Sequence, residues 1–312
     1  MLKTLLKKLP PIAALVAERD ALLTAHGMAP PGHFYSPVVS IAEATKDAAK
    51  LFEEVPDNIP GVDLNEIGQL DLLSNFEKLY PTIDFPDIKS AGHRYYYDNP
   101  AYSYSDAIIL NCMMRHFRPS RIIEVGSGYS SCAILDTNEI FLGNSVSLTC
   151  IEPYPKLLQS LLSPKDIENI KIIPSRLQDV DLAEFRRLQP GDFLFIDSTH
   201  VSKTGSDVNY LIADILPVLN DGVHIHIHDI FYPFEYPKEW VLGGRSWNEV
   251  YVIRAFLKFN SRFKIEIMNT YLEHFHRSRF AEKMPLCLKN LGGSIWLMKT
   301  DQPSTAVASF TG

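Results

Sequence analysis

Two groups of residues in this chain have the types and spacing for chemistry. The first is Arg121-Ile-Ile-Glu-Val-Gly-Ser-Gly-Tyr-Ser-Ser131, an apolar run that meets an acid, a glycine turn and then helix-forming residues. A second acid, Glu152, closes the next apolar run in Cys150-Ile-Glu-Pro153. A strand, a Gly-x-Gly turn, a helix and a second strand ending in an acid hold a nucleoside-bearing ligand at the top of a parallel sheet. A dinucleotide site wants a third glycine. Ser131 stands there instead, and Tyr129 fills the middle of the turn. Glu124 would repel a diphosphate but attract an ammonium group, and Glu152 can accept hydrogen bonds from both ribose hydroxyls. A ligand with adenosine at one end and a cationic amino acid at the other is S-adenosylmethionine.

The second group lies at two later strand ends. Asp197 closes Phe193-Leu-Phe-Ile-Asp197, with His200 three residues on, and His228-Asp229 closes Val223-His-Ile-His-Ile-His-Asp229. Ligands of an open parallel sheet lie beyond the carboxyl ends of its strands, so polar residues there are the candidates for chemistry. Imidazole titrates near neutral pH, and His228 or His200 suits the role of a general base that takes a proton from a hydroxyl. Alternation puts His224, His226 and His228 on one face of the strand. Three imidazoles invite a metal reading. His224 and His226 sit too deep in a central strand for that, and are expected to be satisfied core histidines. Phe231-Tyr-Pro-Phe-Glu-Tyr-Pro237 and Arg245-Ser-Trp-Asn-Glu249 follow closely enough to form an acceptor pocket or lid. The alternative is a loop packed by its own aromatic rings.

Regular elements are needed to place these residues. Short apolar runs at 121–125, 147–151, 170–173, 192–197 and 222–228 alternate with amphipathic stretches near 105–116, 130–137, 155–163, 180–188, 206–218 and 247–259. This alternation predicts βαβ units and a parallel sheet. Strands at 262–268 and Ser294–Met298 follow with no long helix between them, so one can pair antiparallel at an edge. Residues 12–26 have a helical pattern ending at Gly27, read as a packing or dimerisation helix. Residues 28–100 are punctuated by prolines and suit short helices and extended segments that wrap a core. Arg94-Tyr-Tyr-Tyr-Asp98 and His33-Phe-Tyr-Ser-Pro37 either line a pocket or cover the sheet.

Composition excludes several classes. Of 312 residues, 46% are hydrophobic and 21% charged, as in a folded globular chain rather than a disordered one. The net charge of -7 gives no electrostatic footprint for nucleic acid. Cys112, Cys132, Cys150 and Cys287 show no Cys-x-x-Cys spacing, which favours buried thiols in a reducing cytoplasm over disulfides or zinc. No apolar run reaches the length of a membrane span. Lys3, Lys7 and Lys8 precede an apolar stretch, but Pro10-Pro11 and the charges at Glu18, Arg19 and Asp20 argue against an export signal.

Taken in order, Glu124-x-Gly-x-Gly, Glu152, Ser175-Arg-Leu-Gln-Asp179, Asp197 and His228-Asp-Ile230 resemble the class I S-adenosylmethionine-dependent methyltransferases. Phe193–His200, Gly205-Ser-Asp207 and His228-Asp-Ile230 narrow the resemblance to the branch of catechol-type O-methyltransferases and cephalosporin-hydroxylase-like proteins. It implies an α/β, Rossmann-like, doubly wound seven-stranded sheet, mostly parallel with an antiparallel edge strand, at residues 101–300. A helical and irregular extension at 1–100 would serve dimerisation or cover the substrate, and 301–312 would be a loose tail. The resemblance further implies that Glu124, Gly126, Ser127, Gly128 and Tyr129 hold the methionine portion, Glu152 the ribose and Gln178 the adenine side, with Asp197 adjoining. In catechol-type enzymes Mg²⁺ is bound by the acid ending the fourth strand and a pair ending the fifth. That maps onto Asp197, His228 and Asp229, where a histidine shifts the expectation toward Mn²⁺ or Zn²⁺, or toward no metal at all. The implied activity is O-methylation of a small hydroxylated acceptor, a natural product or saccharide. A metal-dependent hydroxylase-like enzyme and a non-catalytic cofactor-binding partner subunit are the other readings.

Overall fold

The computed structural model describes residues 10–25 and 27–301. Seven strands occur in chain order: β1 (Arg121–Val125), β2 (Ser147–Ile151), β3 (Lys171–Ile173), β4 (Phe193–Ile196), β5 (His224–His228), β6 (Phe263–Met268) and β7 (Ser294–Lys299). The helices used below are α1 (Pro10–Ala25), α2 (Ile41–Lys46), α3 (Glu66–Leu79), α4 (Tyr104–Phe117), α5 (Tyr129–Leu142), α6 (Pro164–Asn169), α7 (Lys238–Leu242), α8 (Glu249–Leu257), α9 (Asn269–Phe275) and α10 (Arg277–Lys283).

The described chain parts into two compact units. One holds the described residues up to Glu54 together with Pro237–Ser246; the other holds the rest. In the first, α2 is capped by Ser40, whose Oγ accepts from the Glu43 backbone N–H. The amide of Val39 donates to Ser246 Oγ, and Arg245 stacks on Trp240 at 4.0 Å. Exposed apolar side chains gather in this unit, among them Leu15, Leu22, Met28, Phe34 and Tyr35. The expected signal-like lysines 3, 7 and 8 and nearly all of the 301–312 tail lie outside the described residues.

The second unit is built on one sheet of order β3-β2-β1-β4-β5-β7-β6. β1 to β5 run parallel, and the registers pair Ile122 with Leu148 and Phe193, and Phe195 with His226. Parallel strands covered on both faces read as continuous apolar runs, and β4 is buried at every position. β7 is antiparallel to both neighbours and slots between β5 and β6, leaving β6 at the edge. The link between β6 and β7 is not helix-free: it carries α9, α10 and a 3₁₀ turn at Pro285–Lys289. No helix is long and apolar enough to cross a membrane among the described residues.

Residues 55–100 pack with this sheet. Gln69, Leu72, Leu73 and Phe76 repeat at helical spacing on α3, are buried, and set that helix against α4 and β6. Arg94-Tyr-Tyr-Tyr-Asp98 serves mainly as cover. Tyr95 and Tyr97 are buried, and Arg94 is held by Asp136 of α5 at 2.8 Å and Asp166 of α6 at 2.6 Å. All four cysteines are free and buried.

Candidate active site

Backbone geometry at the top of β1 dictates the first half of the site. Gly126 has φ +75°, and a Cβ there would come within 1.7 Å of the Asp197 carbonyl oxygen. Only glycine lets the ends of β1 and β4 approach so closely. The turn then feeds α5, with the Gly128 amide donating to Ser131 Oγ at 3.1 Å. A cavity of about 200 Å³ opens above it, lined by Gly126, Ser127, Gly128, Tyr129, Glu152 and Asp197 from the expected set. Ala101, Tyr102, Ser130 and Leu157 complete the lining. Glu152 faces this space while its carboxylate accepts from the amides of Ser127 at 3.3 Å and Tyr154 at 2.7 Å.

Two expected cofactor residues stand elsewhere. Glu124 is fully buried and does not line the cavity. Its two oxygens accept from Ser130 Oγ at 2.7 Å and Ser131 Oγ at 2.5 Å, with Cys150 Sγ at 3.5 Å. The acid that was to meet an ammonium group instead fastens the glycine turn to the first turn of α5. Gln178 lies on a 3₁₀ turn outside the cavity lining, donating to the Gly205 carbonyl at 2.9 Å.

The second half of the site gathers at the ends of β4 and β5. His200 Nδ1 lies 2.9 Å from Glu249 Oε2, and its Nε2 lies 3.3 Å from Asp197 Oδ1 and 3.5 Å from Asp229 Oδ2. His200 and Asp229 both have left-handed backbones, φ +58° and +56°, which is costly for non-glycine residues and concentrates at functional sites. The His200 carbonyl accepts from the amides of Asn248 and Glu249, which fixes the start of α8 beside it. Trp247 covers its ring at 4.4 Å.

Charge follows from this packing. Burial alone would lower the His200 pKa, but Asp197 and Glu249 raise it to about 10. Burial would raise the Asp197 carboxyl, yet His228 and His200 hold it below its ordinary value. Burial lowers His228, and Asp197, Asp106 and Asp229 more than reverse that, so its pKa is raised. His228 lies against Tyr102 at 5.3 Å, its Nε2 is 3.7 Å from Asp229 Oδ1, and its Nδ1 is buried without a partner.

The deeper histidines divide. His224 is satisfied, with Nδ1 2.6 Å from Glu266 Oε2. His226 is a core residue as expected but not a satisfied one. It stacks on Phe195 at 4.0 Å and lies tilted against Trp296 at 4.8 Å with neither nitrogen paired, and burial drives its pKa well below the usual value. The segment after β5 packs on aromatics of its own and of later elements: Tyr236 on Phe231, Trp247 and Tyr251, and Tyr232 on Tyr271.

The metal expected at Asp197, His228 and Asp229 does not fit this donor set. Both carboxylates face His200 Nε2, and His228 Nε2 lies 3.7 Å from Asp229 Oδ1. Among the described residues no three His, Cys, Asp or Glu side chains are arranged to hold a metal ion.

A family model described as a methyltransferase domain matches residues 123–230, spanning the glycine turn through the end of β5. A protein of Archaeoglobus fulgidus, itself uncharacterized, is 35% identical over 165 residues, covering 51% of this chain and 73% of the relative. Residues 123–230 thus carry a methyltransferase domain. Solved structures similar to this methyltransferase include the SAH-bound Podospora anserina methyltransferase PaMTH1, at 16% identity and TM-score 0.41, covering 83% of this chain and 96% of that one. Another is the O-methyltransferase TomG of Streptomyces achromogenes, at 16% identity and TM-score 0.39, with coverage of 83% and 96%.

Sequence reasoning missed several residues of this candidate site. Tyr102 and Leu157 lie on neighbouring segments with no motif of their own. Asp106 is buried in the first turn of α4, accepting from Asn269 Nδ2 at 3.1 Å, and its charge acts on His228. Glu249 belonged to a segment noted for its aromatic ring; the available signal was an acid at the first position of a helix.

Proposed function

We propose that this methyltransferase O-methylates a small hydroxylated acceptor, a natural product or saccharide, with His228 as the base that takes the hydroxyl proton. The observation that carries the reading is the position of His228 against Tyr102, a lining residue of the cofactor cavity, with a buried nitrogen that no protein group uses. The cavity suits S-adenosylmethionine: glycine backbone forms its floor and the Glu152 carboxylate stands beside it to accept ribose hydroxyls. When bound, that cofactor supplies a methyl group on a sulfonium, already a strong electrophile. The protein's part is alignment, water exclusion and proton removal. Tyr129 and Leu157 close the cavity wall, Asp197 borders both cavity and cluster, and His228 receives the proton at an imidazole nitrogen.

Calorimetric titration with S-adenosylmethionine and detection of O-methyl products from a panel of phenols and sugars test this. His228→Gln should lower the transfer rate by about 100-fold or more, the usual worth of a general base, with cofactor affinity unchanged. Absence of cofactor binding by the wild type, or products methylated only at nitrogen, would sink the reading.

A further inference from the structure

We propose that a cavity on the β6 side of the sheet is a second ligand site, built for a small organic anion with an apolar body and a hydroxyl group at its far end. The cavity has a volume of about 420 Å³. Its walls come from Tyr232, which follows β5, from α9 and the start of α10, which follow β6, and from Leu291, which precedes β7. It therefore opens at the same edge of the sheet as the glycine turn, toward the opposite flank. The two cavities share no lining residue, so the inference stands apart from the methyl-transfer reading.

Glu273, on the wall of this cavity, carries the argument. It is 1% exposed, and only one of its oxygens is used. Ser105 Oγ donates to Oε1 at 2.5 Å, while Oε2 is buried without a partner. A ligand that supplies the missing bond relieves the cost of leaving that oxygen unpaired. A hydroxyl serves Glu273 in either protonation state, donating to the carboxylate or accepting from the acid. Thr270, one turn earlier on α9, also lines the cavity; its Oγ1 accepts the Tyr232 amide at 2.7 Å and keeps a proton to donate.

The mouth has the opposite character. His274 and Arg277 line it and are exposed, and neither forms an ion pair among the described residues. A guanidinium grips a carboxylate through two parallel hydrogen bonds, so this end selects an anion. Val55, Leu291 and the Tyr232 ring make up the rest of the wall. The Tyr232 hydroxyl is tied to the Pro56 carbonyl, which leaves the ring as an apolar face.

Ligand-detected NMR titration of the full-length protein with para-hydroxyphenylacetate tests the assignment. Phenylacetate, which lacks the hydroxyl, and para-cresol, which lacks the carboxylate, are titrated beside it. The wild type should bind the first with a Kd of about 1 mM or tighter, and each of the others about tenfold more weakly. Arg277→Ala should erase the preference over para-cresol, and Glu273→Met the preference over phenylacetate, each leaving the other preference in place. No binding by the wild type, equal binding of all three probes, or a carboxylate preference that survives Arg277→Ala would overturn the proposal. Arg277 lies on the surface, so its variant decides the question where Glu273→Met does not fold.

Discussion

Ser130 Oγ lies 2.7 Å from Glu124 Oε1, so that a residue lining the cavity holds an acid buried beneath it. With Ser131 on the other oxygen, the first turn of α5 encloses the acid that ends β1. Burial pushes this carboxyl up to about 7, with the Ser131, Ser130 and Cys150 contacts opposing the shift. A raised acid contributes stability that is fully present below its unfolded value near 4.5 and is lost as pH rises through about 7. In that window the native state holds a proton that the unfolded state has released. Denaturant unfolding should therefore show stability falling between pH 5 and 8, by about 3 kcal/mol from this group. Glu124→Gln should flatten that slope; an unchanged slope in the variant rejects the assignment.

Gly126→Ala places a methyl group 1.7 Å from a backbone oxygen that cannot rotate away, at a φ that L-residues avoid. Overpacking and left-handed strain together should cost about 3 kcal/mol or more. The Tm should drop by several degrees, and cofactor affinity should fall with it. Gly143→Ala, at a position open to solvent, should lose far less.

Glu152→Ala removes one of the two carboxylates that line the cavity. Two charge-assisted hydrogen bonds are worth about 2–3 kcal/mol in total, so cofactor affinity should weaken by roughly 30- to 150-fold. Calorimetry measures it directly. Retained affinity means that the ribose lies elsewhere.

Asp136 accepts from the Arg94 guanidinium and from the backbone amides of Arg94 and Tyr95. Asp136→Ala strips these donors of their buried acceptor, and a loss of about 3–5 kcal/mol is expected. Chemical denaturation reads it. A loss under 1 kcal/mol places the strength of this region in the tyrosine packing instead.

His228 has a raised pKa, and a base must be unprotonated to act. The rate of transfer should rise with pH along a limb whose midpoint lies above 6.5. Asp106→Asn removes one of the anions that raise it, so the limb should move toward lower pH.

Strand positions and the glycine turn were legible because both are written in local pattern: runs of apolar residues, a positive-φ glycine, an acid at a strand end. The order of β7 was not. Nothing in Ser294-Ile-Trp-Leu-Met-Lys299 says which two strands it will join, since that depends on pairing with residues 27 or more positions away. The direction of Glu124 was hidden for a related reason. Whether an acid at a strand end faces a ligand or its own helix depends on Ser130 and Ser131, whose hydroxyls carry no motif. His200 was visible as a histidine near an acid. Its clamp was not, because the group on its other nitrogen is Glu249, 49 residues on.

The insertion of β7 has an effect on synthesis. The strand that ends in His228 gains its second neighbour only when residues 294–299 have been made. Until then a growing chain on the ribosome carries β5 with an open row of amides and carbonyls and the ring of His226 uncovered by Trp296. The edge of β5 beside His228, the base proposed above, is closed only by that pairing.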